Sequence, residues 1–92
     1  MIQSFRHRGL KRFFERGDKS QVMAEHAEKI ENILALLNVA STVKEMDLPG
    51  FRLHILTGNL KGSWAVTVRS NWRIVFRFEN GDAYDVDLTD YH

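Results

Sequence analysis

The feature that most constrains this chain is a change of hydrophobic period near residue 50. Before it, Met23, Ala27, Ile30, Leu34 and Leu37 recur at steps of four and three, with Glu25, Glu28, Lys29, Glu31 and Asn32 on the opposite face of a helix. After it the period is two. Phe51, Leu53 and Ile55 alternate with Arg52, His54 and Leu56. Trp64, Val66 and Val68 alternate with Ala65, Thr67 and Arg69. Ile74, Phe76 and Phe78 alternate with Arg73, Val75 and Arg77, and Tyr84, Val86 and Leu88 with Asp85, Asp87 and Thr89. Strands with one apolar face must cover it, and the helical stripe is the cover at hand. A chain of 92 residues leaves no room for a second core. The pattern therefore predicts one α+β domain over 1–92, with two N-terminal helices packed on one face of a mostly antiparallel, twisted sheet.

The first helix is short: Leu10, Phe13 and Phe14 fall one turn apart among charged residues. Ile2 to Phe5 ahead of it is long enough for an edge strand. Gly17 suits the left-handed stop after the helix, and Asp18 or Ser20 can cap the next one. Ser41 to Gly50, which holds the only proline, Pro49, breaks both periods and reads as a connection into the sheet. Thr57 to Ser63, with Gly58, Asn59 and Gly62, is a polar loop between the first two strands.

Residues opposite each other on antiparallel strands share a face, so the alternation also predicts register. A two-residue turn at Asn80-Gly81 would set Phe76 against Asp85. A three-residue loop, Asn80 to Asp82, instead pairs Phe78 with Tyr84, Phe76 with Val86, Ile74 with Leu88 and Arg77 with Asp85. The same test makes Ser70, Asn71 and Trp72 a loop, pairing Val68 with Ile74, Val66 with Phe76 and Trp64 with Phe78. It also sets Arg69 opposite Arg73, two like charges that repel unless an anion lies between them.

Composition excludes several kinds of chemistry. There is no cysteine, hence no disulfide framework, thiolate metal site or thiol nucleophile, and a reducing cytoplasm is compatible. His7, His26, His54 and His92 lack ligand spacing, so neither a metal nor another cofactor is expected. The longest apolar run, Ile33 to Leu37, is too short to span a membrane, and the N-terminus lacks the apolar core of a signal peptide. The net charge of +1 is small for a protein that holds nucleic acid unaided. The charge is polarised, however: Arg6, His7, Arg8, Lys11, Arg12 and Arg16 cluster at the start, Glu25 to Asp47 leans acidic, and arginines return at Arg52, Arg69, Arg73 and Arg77.

Carried across the sheet, the predicted registers put Arg52, His54, Ala65, Thr67, Arg69, Arg73, Arg77, Thr89 and Tyr91 on the face away from the helices. Small residues inside a rim of histidine, tyrosine and arginine suit a phosphate backbone with an unstacked base. RNA cleavage through the 2′-hydroxyl needs a base, cations for the developing oxyanions and an acid for the leaving 5′-oxygen, with no metal. His54 can serve as base or acid, Arg69 and Arg73 as the phosphate clamp, Tyr91 as a stacking or proton-transfer group, and Asp90 and His92 as residues that orient or share the acid/base work.

The chain also resembles a known family. Ile2 to Leu10 (IQSFRHRGL), Gly-x-Trp-x-Val-Thr-Val-Arg at Gly62 to Arg69, Asn71-Trp72-Arg73, Asn80 to Tyr84 (NGDAY) and the closing Asp90-Tyr91-His92 are similar, essentially end to end, to the HigB toxins of the RelE/ParE superfamily. The resemblance implies a compact RelE-like fold and a metal-independent endonuclease that cuts mRNA in the ribosomal A site. It implies a HigA-like helix-turn-helix antitoxin as partner, beside the ribosome and its message. It carries the working roles onto His54, Arg69, Arg73, Asp90, Tyr91 and His92. Similar toxins can have a lysine where this chain has Thr57, and Lys61 in the same loop is placed to substitute; Arg52, Lys61 and Arg77 are the further RNA-binding candidates. ParE-like relatives inhibit DNA gyrase on the same fold, so that activity, or a non-catalytic RNA- or protein-binding role, is the alternative.

Overall fold

The structure is a computed structural model and describes residues 1–90, Leu60 by its backbone alone. Two helices, α1 (Arg8–Arg16) and α2 (Ala24–Val39), precede a four-stranded antiparallel sheet in the order β1-β2-β3-β4, with β1 His54–Ile55, β2 Ser63–Arg69, β3 Trp72–Glu79 and β4 Asp82–Asp90. This is the α+β architecture that the change of period predicts. Among the described residues no helix is long and apolar enough to cross a membrane.

One face of the sheet carries the main core. Val66, Ile74, Phe76 and Val86 are fully buried against Leu10 of α1 and Ile30, Ile33, Leu34 and Leu37 of α2. Gly17 ends α1 at φ 69°, donating its N–H to Phe13 O at 2.9 Å, as its position after the last apolar residue suggests. The start of α1 was not foreseen: His7 Nδ1 accepts from the Leu10 N–H at 3.1 Å and caps the helix. Neither Asp18 nor Ser20 caps α2. Asp18 closes its own turn on Ser20 N, α2 starts after Met23, and no side chain caps it. Met23 is half exposed, and the buried Val22 takes the core place expected of it.

The expected edge strand at Ile2 to Phe5 makes only two isolated parallel bridges with β4, at Ile2–Ala83 and Phe5–Val86. The first long strand also shortens. Arg52 takes φ 50° and interrupts the ladder, leaving His54–Ile55 as β1, while Phe51 O and Leu56 N still bond across to Thr67 N and Ser63 O. The connection Ser41 to Gly50 is more ordered than its broken periods suggest. It contains a 3-10 turn, Val43–Met46, that buries Met46 completely.

A capping box holds that turn: Glu45 Oε2 accepts from Thr42 N and Ser41 N, each at 2.9 Å. The N–H of Thr42, then that of Ser41, hold the Glu45 carboxyl below its ordinary value. A carboxyl depressed in the folded state contributes stability above its unfolded value and loses it as pH falls through the folded one. Glu45→Gln should therefore melt slightly below wild type at pH 7, and the gap should close as the pH drops below about 4.5, the ordinary glutamate value. Thermal melts from pH 7 to pH 3 check this, and a gap that widened toward acid would contradict it.

Both hairpins correct the predicted register, and for one reason. Each has a two-residue turn, Ser70-Asn71 and Asn80-Gly81, because Arg69 pairs Trp72 and Glu79 pairs Asp82. Asn80 and Gly81 both have positive φ, 51° and 81°, the conformation a twisted two-residue hairpin requires. A two-residue turn continued without interruption would put Val68 against Arg73 and Phe76 against Asp85, the clash of faces that argues for longer loops. The chain removes it inside the strands. One β-bulge falls between Thr67 and Arg69; another, opposite Val75 to Arg77, holds Asp85 at φ 54°. Beyond the bulges, Val66 pairs Ile74, Trp64 pairs Phe76 and Ile74 pairs Leu88. Parity is kept as expected, but bulges rather than loop length keep it. Phe78 accordingly pairs the fully buried Ala83, and Tyr84 moves to the Arg77 position on the other face.

Candidate RNA-binding face

The open face is laid out by the registers as three rows. The central row runs from His54 through Ala65 and Val75 to Asp87, and the next toward the β2-β3 turn is Thr67, Arg73 and Thr89. The third holds Leu56, Ser63, Arg77 and Tyr84. Leu56, Ala65 and Val75 form a small apolar cluster separate from the main core, a low floor between the polar side chains. Ala65 lies in the middle of this face as the alternation predicts, with Leu56 and Val75 rather than Thr67 as its apolar neighbours.

His54 is exposed on the edge strand, and its Nδ1 lies 2.9 Å from Arg52 O. A carbonyl can only accept, so in the neutral imidazole this contact places the proton on Nδ1 and leaves Nε2 as the acceptor. Arg52 thus orients His54 through its backbone, at φ 50°, while its own side chain is exposed. Arg73, half-buried, donates from Nη1 to Ser70 O at 2.7 Å and to Trp72 O at 3.3 Å, which fixes it to the turn. Among the described residues its Nε is buried with no partner, and so is the hydroxyl of Thr67, its cross-strand neighbour. Buried polar groups are normally bonded, so these two cross-strand neighbours stand out on the open face.

One placement differs from expectation. Arg69 does not face Arg73; the bulge turns it to the helix side, opposite Trp72, where its guanidinium reaches Glu25 of α2 at 3.4 Å. The like-charge argument for an anion between the two arginines therefore falls. Both groups of the Arg69–Glu25 pair are exposed, so it contributes little to stability. Arg77 lies on the open face but is engaged there: Nε donates to Asp85 at 3.0 Å, Nη1 to Glu79 at 3.1 Å, and the guanidinium lies 5.2 Å from the Tyr84 ring. The Asp85 bond, more than the neighbouring charges, holds Arg77 above its ordinary value. Asp90 closes the described part of β4 opposite Trp72, and Lys61 is exposed just before β2. Tyr91 and His92 lie outside the described residues.

Residues outside the set of site candidates also belong to this surface. Arg6, Asn59, Ser63, Asp85 and Asp87 join Lys61, Val75, Arg77 and Thr89 around a groove of about 210 Å³. On the core side, His26 of α2 is buried, its ring centroid 5.9 Å from that of Trp72, and it ties the helix to the hairpin that carries Arg73. Nothing in the helical stripe signals it, because His26 sits one position before an expected core residue.

With this geometry in hand, residues 3–92 match the family described as the RelE-like toxin of type II toxin-antitoxin system HigB. The chain belongs to the HigB-like toxins. It is 45% identical over 92 residues to the protein named Endoribonuclease HigB of Proteus vulgaris, covering the whole of both chains. It is 27% identical to Toxin HigB-1 of Vibrio cholerae, covering 96% of this chain and 95% of that one. Among solved structures, a point mutant of YafQ from E. coli superposes with a TM-score of 0.61 at 15% identity, covering 98% of this chain and 91% of that one, a likeness of fold. A HigB-like toxin of a type II system implies an antitoxin as partner.

Proposed function

We propose that this HigB-like toxin is an endoribonuclease that cuts mRNA on the ribosome, using the open face of the sheet without a metal. The observation that carries the reading is the placing of His54, with Nε2 left as an acceptor in the neutral ring, and Arg73, whose buried Nε has no partner among the described residues, on one face. Two strand spacings and two residues separate their backbones, about 12 Å by standard sheet dimensions. That is a span two long side chains close around one phosphodiester. The name of the Proteus vulgaris relative supports the same activity.

In this reading His54 Nε2 removes the 2′-hydroxyl proton, and the oxygen attacks the adjacent phosphorus. Arg73 steadies the charge on the non-bridging oxygens. Arg69, exposed at the corner of the hairpin, exchanges its weak contact with Glu25 for the same phosphate or its neighbour. Asp90, Tyr91 and His92 supply the acid for the leaving 5′-oxygen and a surface for the unstacked base. Arg52 and Lys61 contact the backbone on either side of His54, while Arg77, held by Asp85 and Glu79, shapes the wall of the groove. The net charge of only +1 fits a substrate held mainly by the ribosome, and hence action in the cytoplasm under the control of a HigA-like helix-turn-helix antitoxin.

Purified protein incubated with the same message free and on programmed ribosomes tests this. Cutting only in the ribosome sample is expected, and an intact message in both would overturn the reading.

A further inference from the structure

The groove beside the central row is lined by two cations that stand apart from the ion pairs around them. Arg6 and Lys61 make no side-chain hydrogen bond or ion pair among the described residues, whereas Arg77 between them is occupied twice over. They come from distant parts of the chain. Arg6 is brought to the far side of β4 by its backbone N–H, which donates to Val86 O at 2.9 Å. Lys61 follows the 3-10 turn Gly58–Leu60 and donates its N–H to Gly58 O at 3.1 Å. They reach the groove from two directions, Arg6 from beyond β4 and Lys61 from ahead of β2, and share its lining with Val75, Ser63 and Asp87, which spends one carboxylate oxygen on the Leu88 N–H at 2.9 Å.

We infer that Arg6 and Lys61 form a second phosphate clamp, which holds a single-stranded RNA linkage flanking the one at His54 and Arg73. This rests on the proposed ribonuclease reading and extends it to a neighbouring nucleotide. Two cations lining one groove repel, and an anion between them removes that cost while gaining charge-assisted hydrogen bonds. The carboxylates inside decide how the strand lies. Asp85 is paired with Arg77, whereas Asp87 makes no ion pair among the described residues, so a carboxylate lining the groove disfavours a phosphate inside it. The backbone therefore crosses the mouth of the groove from Lys61 to Arg6, and the base side of the nucleotide faces inward over Val75. Arg6 is exposed and its fold contact is made by the backbone, so its side chain can be changed without disturbing β4.

The test is direct binding, independent of cleavage. The full protein is titrated by fluorescence anisotropy, at low salt and then over a salt series, with a short 2′-O-methyl oligonucleotide that cannot be cut, and with versions carrying one neutral methylphosphonate linkage at each position in turn. Arg6→Gln and Lys61→Gln should each weaken binding about threefold to tenfold and flatten the slope of log affinity against log salt by about 0.7. At one linkage, the methylphosphonate should weaken wild type to the same degree and the two variants no further. Variants that bind like wild type, or losses that multiply at every linkage, would overturn the clamp. Ribosomal cleavage by wild type is scored separately, so a clamp that binds in a protein that does not cut would refute the nuclease reading and leave this one standing.

Discussion

His54→Ala is expected to slow cleavage of ribosome-bound message about 10²- to 10⁴-fold while the protein folds and binds ribosomes as before. The size follows from the role: the imidazole is the group placed to take a proton, and its orientation depends on the 2.9 Å contact from Nδ1 to Arg52 O. The tolerance follows from the position. His54 is exposed on a two-residue edge strand and contributes nothing to either apolar cluster. His54→Gln should not restore the rate, because an amide at that place accepts a hydrogen bond but does not carry off a proton. Single-turnover cleavage by wild type and the two variants, with circular dichroism to confirm the fold, decides the matter. An Ala variant within a few-fold of wild type would remove His54 from the mechanism.

The largest effect on stability is expected at Phe76. Its side chain is fully buried between Trp64 across β2 and the helices, with the Phe78 ring centroid 6.5 Å away. Phe76→Ala removes the ring and leaves a cavity that the sheet cannot close, at a cost of about 3 to 5 kcal/mol. A domain of 92 residues has a net stability of about 5 to 14 kcal/mol in all. The variant should therefore unfold at a much lower denaturant midpoint with an unchanged slope, and a weak sequence background would leave it partly unfolded at 37 °C. Ile74→Val, one methylene smaller in the same layer, should cost only about 0.5 to 1.5 kcal/mol. Equal midpoints for the two variants would contradict this account of the core.

The alternation of residues 51–89 made the sheet and its two faces legible, because side-chain period and burial are the same fact in a half-covered sheet. What it hid was where the parity is repaired. Phe76 against Asp85 is impossible in a simple ladder, and the sequence leaves two remedies, a longer turn or a bulge. The signal that chooses was present: Asn80-Gly81 is a strong two-residue turn, and aspartate is one of the few residues that tolerates the left-handed backbone Asp85 adopts. That choice moved Tyr84 to the open face, and the same choice at Ser70-Asn71, with its own bulge after Thr67, moved Arg69 off it, so the error reached the site. Thr42 to Glu45 carries the T-x-x-E pattern of a capping box, a readable cue for the turn that buries Met46. His7 as an N-cap had no such cue, since histidine is not among the side chains that usually fill the position. The groove between Arg6 and Lys61 joins residues 55 positions apart in sequence through the pairing of the N-terminal segment with β4, and no local period reports it.

The central claim is that this surface cleaves RNA by attack of its own 2′-hydroxyl. The measurement that meets it most directly is the chemistry of the new ends in message recovered from programmed ribosomes. A 5′-hydroxyl on the downstream fragment and a 2′,3′-cyclic or 3′-phosphate on the upstream one, with the cut in the A-site codon, is the expected result. A 5′-phosphate at the cut, or a message left whole while DNA gyrase is inhibited, would contradict the account.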